Sequence, residues 1–551
     1  MASAPTKRSS SSPPPTRPRS TSATTTSATS STASRAAGTP SCPSRPATGS
    51  RPCAPSATSP TSSAASSATT PSRSNSSATT RRTATSTTPT ASLGRSCNGR
   101  SALSDAGGVG RVYLHAESPP RVARNRVKGN AVDGQTNRRQ FLVASLAAPY
   151  FLTSGALGAE GKAPASDRIR TGHIGVGGMG GGHLHGIYNN PTATPVAVCD
   201  IDAARLANAV KVTRDTAKPY HDFRELLDRQ DIDAVFVASP DHWHPLHTIH
   251  ACQAGKDVYC EKPLSVTIRE GQAMVAAARR FGRVVQMGTQ WRSTGPGRGV
   301  ANYARFGHCG TIREVRCWHY PNPTHPPAPP QPVPPGLDYD FWLGPLPWMP
   351  YHPARTHGNF RWLMCSGGGN IRDRGAHIMG LVAWPMGVDH TGPVSIEATG
   401  DRPDGLFDNP RTMSVTYQFK NPDWTLRWDQ PGEPKGGEYG AVFIGDRDTV
   451  AFWDNIATEP KAMALATPAP GQPTLEVSHD HRSNFLECVR ARRRPIMDVE
   501  IGHRATTLCN LGNIAWRLGR KLDWDPAKEL FIGDDEANRL LHYPYREPWK
   551  L

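Results

Sequence analysis

From residue 167 to residue 290, short apolar runs alternate with segments whose apolar positions recur every three to four residues. The runs predict strands at 171–174, 195–199, 234–238, 258–260 and 284–287. Helices are expected after Met179 and over 203–210, 222–229, 245–254 and 268–281, because the spacing there fits one face of a helix. Strands alternating with amphipathic helices indicate a parallel, doubly wound sheet, since consecutive parallel strands need a crossover between them. Farther on, 321–335 is proline-dense and is expected to be an extended excursion. Trp342, Trp348, Phe360 and Trp362 follow it. They suit either a wall that stacks on sugar faces or a core and domain interface, and most are assigned to the second role.

The first 135 residues show neither period. Ser, Thr, Pro, Ala and Arg dominate them, so the segment cannot bury enough apolar area to offset the entropy of ordering and is expected to be disordered. Residues 1–135 hold 17 Lys and Arg against 3 acidic residues and so carry +14 of the formal +17. The remainder is close to neutral, so no nucleic-acid partner is expected for the folded part. The segment is either a basic low-complexity arm or translated sequence upstream of the true start, and the next residues favour the second reading.

Arg138-Arg139 precedes an apolar run over 141–158 that ends among the small residues Ala156, Gly158 and Ala159, which is the order of a twin-arginine (Tat) export signal. Pro149, Thr153 and Ser154 interrupt the run, and it falls short of the ~20 residues a span requires, so no stable membrane span is expected. Residues 136–166 are assigned to this signal and a linker. Such signals act at an N-terminus, so periplasmic export is expected if translation starts near Val132, and a cytoplasmic location otherwise. The 11 cysteines show no CxxC or metal-finger spacing, which argues against a disulfide framework or a zinc module. Cys199, Cys260 and Cys509 read as small apolar residues.

The chemistry begins at GVGGMG, residues 175–180, between a predicted strand and a predicted helix. In that context Gly175 allows the tight turn, Gly177 the approach of the backbone to a pyrophosphate, and Gly180 close packing of helix on strand, with Gly178 and Met179 at the helix start facing the anion. Asp200 ends the second strand, twenty positions after Gly180, where an acceptor for a ribose 2′-hydroxyl belongs. Its charge would repel a 2′-phosphate, so NAD is expected and NADP disfavoured. Asp202 is better suited to capping a helix.

Glu261-Lys262-Pro263 stands at the end of another predicted strand. With the glycine turn and Asp200, it makes the chain resemble the Gfo/Idh/MocA oxidoreductases, from about residue 168 to 551. FWLGP at 341–345, FRW at 360–362 and the close from Trp524 to Trp549 are similar to the exported bacterial branch of that family. The resemblance implies an α/β protein: a Rossmann domain over 167–290, then over 291–551 an α/β domain with an open, mostly antiparallel sheet for substrate and oligomer contacts. It also implies a nicotinamide cofactor, a small carbohydrate substrate and a homo-oligomer, dimer or tetramer; export, where free cofactor is scarce, would require that cofactor to be tightly held.

Lys262 lies where parallel strands end at a ligand crevice, and an ammonium there can polarise a hydroxyl or carbonyl. Its alternative is a surface lysine, and the resemblance selects the catalytic role. Glu261 is expected to support the cofactor or to orient Lys262. Asp373 and His377, four apart, share one face if helical, so Asp373 can orient His377 and favour its protonated form as a general acid or base. An exposed helix pair is the alternative, and the match to the family's D-x-x-x-H pattern favours catalysis. Gly380 and Ile378 depart from that pattern, where an acidic residue and a histidine are common. His242, His244, His247 and His250 suggest a metal, but no carboxylate or cysteine completes a site, so no metal is expected. Ser239 and His244 are instead assigned to the cofactor cleft. Gln290, Arg292 and Arg361 are weaker candidates for substrate contacts.

Three readings of function follow. The first is an NAD(P)-dependent dehydrogenase acting on a CH–OH group of a sugar, glycoside or cyclitol. The second is an NAD-dependent glycosidase that works by transient oxidation and elimination. The third is a non-catalytic regulatory protein that binds a dinucleotide or a sugar.

Overall fold

The structure is a computed structural model and describes residues 167–432, 437–454 and 457–551. The expected low-complexity segment 1–135 and the export signal at 136–166 lie outside the described residues.

The chain builds a first sheet from β1 (Ile169–Ile174), α1 (Gly178–Tyr188), β2 (Ala193–Cys199), α2 (Ala203–Val212), β3 (Lys218–Tyr220), α3 (Phe223–Leu227), β4 (Ala234–Val237), α4 (His244–Gln253), β5 (Asp257–Cys260), α5 (Ile268–Arg280) and β6 (Val285–Met287). All pairs are parallel, in the order β3-β2-β1-β4-β5-β6. The direction of winding reverses between β1 and β4, which opens a crevice at their C-terminal ends. The central strands β4 and β5 are buried at every position, which is why they read as continuous apolar runs.

α6 (Gly295–Arg305) and β7 (Ile312–Trp318) lead into an irregular excursion that holds α7 (Tyr339–Leu343) and ends at α8 (Asn370–Asp373) and α9 (Gly375–Met386). The proline-dense 321–335 has no helix or strand, as expected from its composition. The second sheet adds β8 (Ser395–Gly400), β9 (Met413–Phe419), β10 (Trp424–Gln430), β11 (Gly440–Gly445), β12 (Thr449–Trp453) and β13 (Ala457–Thr458). After α10 (Pro460–Met463), α11 (His481–Ala491) and α12 (Val499–Leu518), the chain closes with β14 (Leu522–Asp525), β15 (Leu530–Phe531) and α13 (Asp535–Arg539). The nine strands run β13-β12-β11-β7-β10-β9-β8-β14-β15, antiparallel except for β7 with β10. The expected fold class is therefore observed.

On the inner face of this sheet Val415, Tyr417, Leu426 and Trp428 join Ala376, Leu381, Leu508 and Leu511 in one core. Ser414, Thr416, Thr425 and Arg427 point the other way, half-buried, and leave an open polar face. α11 returns to the first sheet, where Phe485, Leu486 and Val489 pack with Ile169, Phe236 and Tyr259. The excursion crosses the end of β2: Ala203 N donates to Gly336 O at 2.9 Å and Asp338 N to Ile201 O at 3.2 Å. Trp342 and Phe360 are core residues of this strap, whereas Trp348 is 67% exposed, so the four aromatics form no common wall.

Several imidazoles are sealed in the interior. Burial pushes those of His173, His242 and His377 down to about 3, and those of His319 and His481 to about 4, from an ordinary 6.5. The unfolded chain therefore binds more protons below pH 6.5, and stability present above that pH is lost as pH falls toward the folded values, by ~1.4 kcal/mol per unit for each histidine. Urea unfolding of the protein is expected to shift to a clearly lower midpoint between pH 7.5 and 5.5. An unchanged midpoint would contradict the buried, neutral state of these rings.

Candidate active site

The glycine turn joins β1 to α1. Gly175 has φ +79°, and a β-carbon there would meet the Ser239 amide at 2.6 Å. A β-carbon on Gly180 would overlap the Gly175 carbonyl oxygen, so only glycine lets the helix lie this close to the strand. Gly177 caps α1, and Gly178 and Met179 begin it, so the leading amides point out of the helix as an anion site. Every cofactor candidate except Gly180 lines one cleft of about 260 Å³, together with Arg361.

Asp200 is buried at this cleft, and its carboxylate accepts from Val176 N at 2.9 Å and Asp202 N at 3.0 Å. Burial raises its pKa despite those bonds. Asp202 caps α2 by accepting from the Ala204 and Arg205 amides. Asp241 also lines the cleft; its Oδ2 is buried without a partner, and burial pushes its carboxyl well up. The α1 N-terminus, an orphaned acceptor on the same cleft wall and an acid at the end of β2 fit a dinucleotide with free ribose hydroxyls.

His244 lines the cleft, but its ring nitrogens face the carbonyls of Pro263 at 2.7 Å and Ser239 at 2.9 Å. It ties the turns after β4 and β5 together, so the expected dinucleotide contact is reduced to the ring surface. Ser239 Oγ pairs with His247 Nδ1 at 3.0 Å, and His242 Nε2 faces the Trp342 carbonyl at 2.9 Å. Main chain and hydroxyl thus occupy these imidazoles. Among the described residues, no three His, Cys, Asp or Glu gather as a metal site.

Lys262 follows β5 and reaches α8. Its Nζ lies 2.5 Å from Asp373 Oδ1 and 3.0 Å from the Asp373 carbonyl, while Arg361 Nε donates to the same Oδ1 at 3.0 Å. Burial works against the Asp373 carboxylate, yet Lys262 and Arg361 together hold its pKa far below the ordinary range. The expectation that Asp373 orients His377 and favours its protonation is corrected here: the carboxylate bonds elsewhere, and its charge, which does favour the protonated ring, is outweighed by burial and Lys262. The helix breaks at Arg374, and two cations outcompete a neutral imidazole for one buried carboxylate. His377 instead stacks on Trp291 with ring centres 5.4 Å apart, and its Nδ1 is buried without a partner. Burial, then the Lys262 charge, pushes its pKa down to about 3, so the ring is neutral near pH 7.

Glu261 supports this centre from below. Its Oε1 lies 2.8 Å from His183 Nε2, and its Oε2 accepts from the Lys262 amide at 3.2 Å. Burial opposes its ionisation, but the His183 bond and neighbouring positive charge bring its pKa to about 2. Gln290 Nε2 is 3.4 Å from both Glu261 Oε1 and the Tyr259 hydroxyl, so it braces Glu261. Arg292 is no substrate contact: it is 1% exposed, donates to Gly380 O at 2.8 and 2.6 Å, and pairs with Asp389 at 2.5 Å. Burial with two partners satisfies the guanidinium inside the fold. Arg361 lines the cleft, but its Nε is held by Asp373 and its Nη1 by the Gly358 carbonyl. At Gly380, a β-carbon would stand 3.0 Å from Thr289 Cγ2, so the missing acidic residue leaves a close packing contact.

The sequence reading missed His183, Trp291 and Asp241. His183 shares the buried face of α1 with Gly180, Leu184 and Ile187, so its position looks like core; only pairing with Glu261 across 78 residues reveals its part.

Two family models match the chain: an oxidoreductase family's NAD-binding Rossmann fold over residues 169–289, and its C-terminal alpha/beta domain over 317–551. The chain belongs to the Gfo/Idh/MocA oxidoreductase family. Its Rossmann domain is of the NAD-binding type. An inositol 2-dehydrogenase of Salmonella paratyphi B is 32% identical over 160 residues, 29% of this chain and 48% of that protein. A glycosyl hydrolase family 109 protein of Shewanella is 36% identical over 115 residues, 19% of this chain and 25% of that protein. The chain thus spans about half the length, or less, of these curated relatives. The WlbA dehydrogenase from Bordetella pertussis, solved with NADH and UDP-GlcNAcA, shares the fold with a TM-score of 0.50 and 19% identity, over 65% of this chain and 99% of that one.

Gly180→Ala is expected to push α1 off β1 and weaken NAD binding by about tenfold or more, a loss of ~1.4 kcal/mol. Fluorescence titration with NADH measures it, and unchanged affinity would contradict the close contact.

Proposed function

We propose that this family member is an NAD-dependent oxidoreductase that transfers a hydride between the cofactor and a CH–OH carbon of a sugar, glycoside or cyclitol. The observation that carries this reading is Lys262, fixed at the cleft by Asp373 and Arg361, with the neutral imidazole of His377 among the charges around it. The α1 amides, Asp200 and Asp241 would hold NAD, which supplies the hydride acceptor when bound. In the oxidative direction His377, uncharged near pH 7, accepts the hydroxyl proton, and the charges of Glu261 and Asp373 favour the imidazolium so formed against burial and Lys262. The Lys262 ammonium stabilises the developing alkoxide, and Asp373 holds it aimed at the cleft. In the reductive direction the same groups return the proton. The inositol dehydrogenase relatives support a polyhydroxylated substrate.

A glycosidase acting by transient oxidation is the second reading, favoured by the Shewanella relative, although that match covers a quarter of the relative. Hydrolysis of a nitrophenyl glycoside without net NADH would select it. A purely regulatory dinucleotide-binding role is disfavoured by the buried charged cluster.

We also place the mature protein in the periplasm, on the Arg138-Arg139 motif and the apolar run after it, and as a homo-oligomer using the open sheet face. Export of a folded protein implies that NAD travels bound and is recycled by a second substrate. Mass spectrometry of the native protein should find an N-terminus near Ala159 and retained cofactor; an intact signal or purely apo protein would contradict export in this form.

Cofactor reduction with a panel of inositols, sugars and glycosides is expected to give turnover with at least one class. His377→Asn should lower kcat by ~10²–10⁴-fold while NAD affinity stays within about twofold. Turnover within about threefold of the parent would remove His377 from proton transfer.

A further inference from the structure

Arg372 immediately precedes Asp373, yet its side chain enters a different cavity, of about 310 Å³, bounded by α12, the segment at Met364 and Cys365, and the chain around Tyr543. The residue is 3% exposed. Its Nε donates to Asn510 Oδ1 at 2.9 Å and its Nη1 to the Met364 carbonyl at 3.2 Å. Among the described residues, no carboxylate forms an ion pair with it. Burial pulls its pKa down, and the charges of Asp241 and Glu270, neither of them paired directly with it, offset that only in part.

Three further polar atoms around the cavity are buried without a partner: Asn510 Nδ2, Asn513 Oδ1 and the Tyr543 hydroxyl. The amide orientations follow from their other bonds, since Asn510 Oδ1 accepts from Arg372 and Asn513 Nδ2 donates to the Gly368 carbonyl at 3.0 Å. The lining therefore offers a guanidinium and an amide N–H as donors, a carbonyl as acceptor, and a hydroxyl able to do either. Asp408 is the acidic residue of the lining; its carboxylate accepts from the Met364 amide at 2.5 Å, and burial raises its pKa against the nearby charges of Arg355 and Arg517. Buried polar groups are ordinarily paired, and four unsatisfied or under-satisfied ones around a single small-molecule-sized space call for a polar occupant.

We propose that this cavity is a second ligand site, distinct from the dinucleotide cleft, that takes a small hydroxycarboxylate. The carboxylate sits against Arg372 and the Asn510 amide, where it supplies the direct ion-pair partner that Arg372 lacks among the described residues. The ligand hydroxyl donates to Asn513 Oδ1, and Tyr543 donates to the remaining carboxylate oxygen. A dicarboxylate without the hydroxyl leaves Asn513 unpaired and binds less well.

Isothermal titration of the NAD-loaded full chain with L-tartrate, and separately with succinate, tests this. Saturable one-to-one binding of tartrate is expected, about fivefold or more tighter than succinate. Tyr543→Phe should weaken tartrate about fivefold with no drop in melting temperature, because the hydroxyl has no protein partner to lose, and Arg372→Lys should weaken it about tenfold. Met179→Glu, an exposed change that puts charge into the dinucleotide cleft, should leave tartrate affinity unchanged. No saturation up to about 10 mM, the signature of a cavity filled only by water, would overturn the proposal. So would equal affinity in Tyr543→Phe, or loss of binding in Met179→Glu, which would place the ligand in the dinucleotide cleft.

Discussion

One buried carboxylate organises the site. Asp373 lies at the end of a four-residue helix from the C-terminal half, between Lys262 from the Rossmann sheet and Arg361 from the strap that crosses it. Removing a charged partner from water is costly, and attraction across a few ångströms of low-dielectric interior repays it only when geometry is good. Here two cations share one oxygen, so losing any one of the three leaves charge buried and unbalanced. The cluster therefore fixes where the domains meet as well as where Lys262 points.

Other features serve that junction. The strap reaches the end of β2 through Gly336 and Asp338, and its Trp342 carbonyl receives the indole N–H of Trp243 at 3.0 Å. These contacts cover the side of the cleft where Asp200 stands and carry Arg361 to Asp373. Below, Glu261 links Lys262 to the helix of the glycine turn through His183. Arg292, clamped on the Gly380 carbonyl, holds α9 against the last Rossmann strand, so a position that varies from the family pattern serves packing.

Much of the first sheet was readable because its signals are local. Continuous apolar runs mark β4 and β5, and glycines with φ above zero or forbidden β-carbons mark the turn. β3 was missed because Lys218-Pro219-Tyr220 offers no apolar run, and α12 because fifteen of its twenty residues are buried, which erases the amphipathic stripe. At the site, the residue types were readable and their pairing was not. Spacing brought Asp373 to His377, whereas the fold gave it a lysine 111 positions away and an arginine 12 positions away. A neutral, buried imidazole is a product of that tertiary choice and leaves no trace in the local sequence.

The sharing of Asp373 is tested most directly by a double-mutant cycle on folding stability, with Lys262→Met, Asp373→Asn and the combined variant unfolded in urea with NAD present. Each single change should destabilise by about 2–4 kcal/mol, and the pair by at least ~2 kcal/mol less than the sum, because the second change relieves the charge stranded by the first. Effects that add to within ~0.5 kcal/mol would contradict the claim that this ion pair holds the site together.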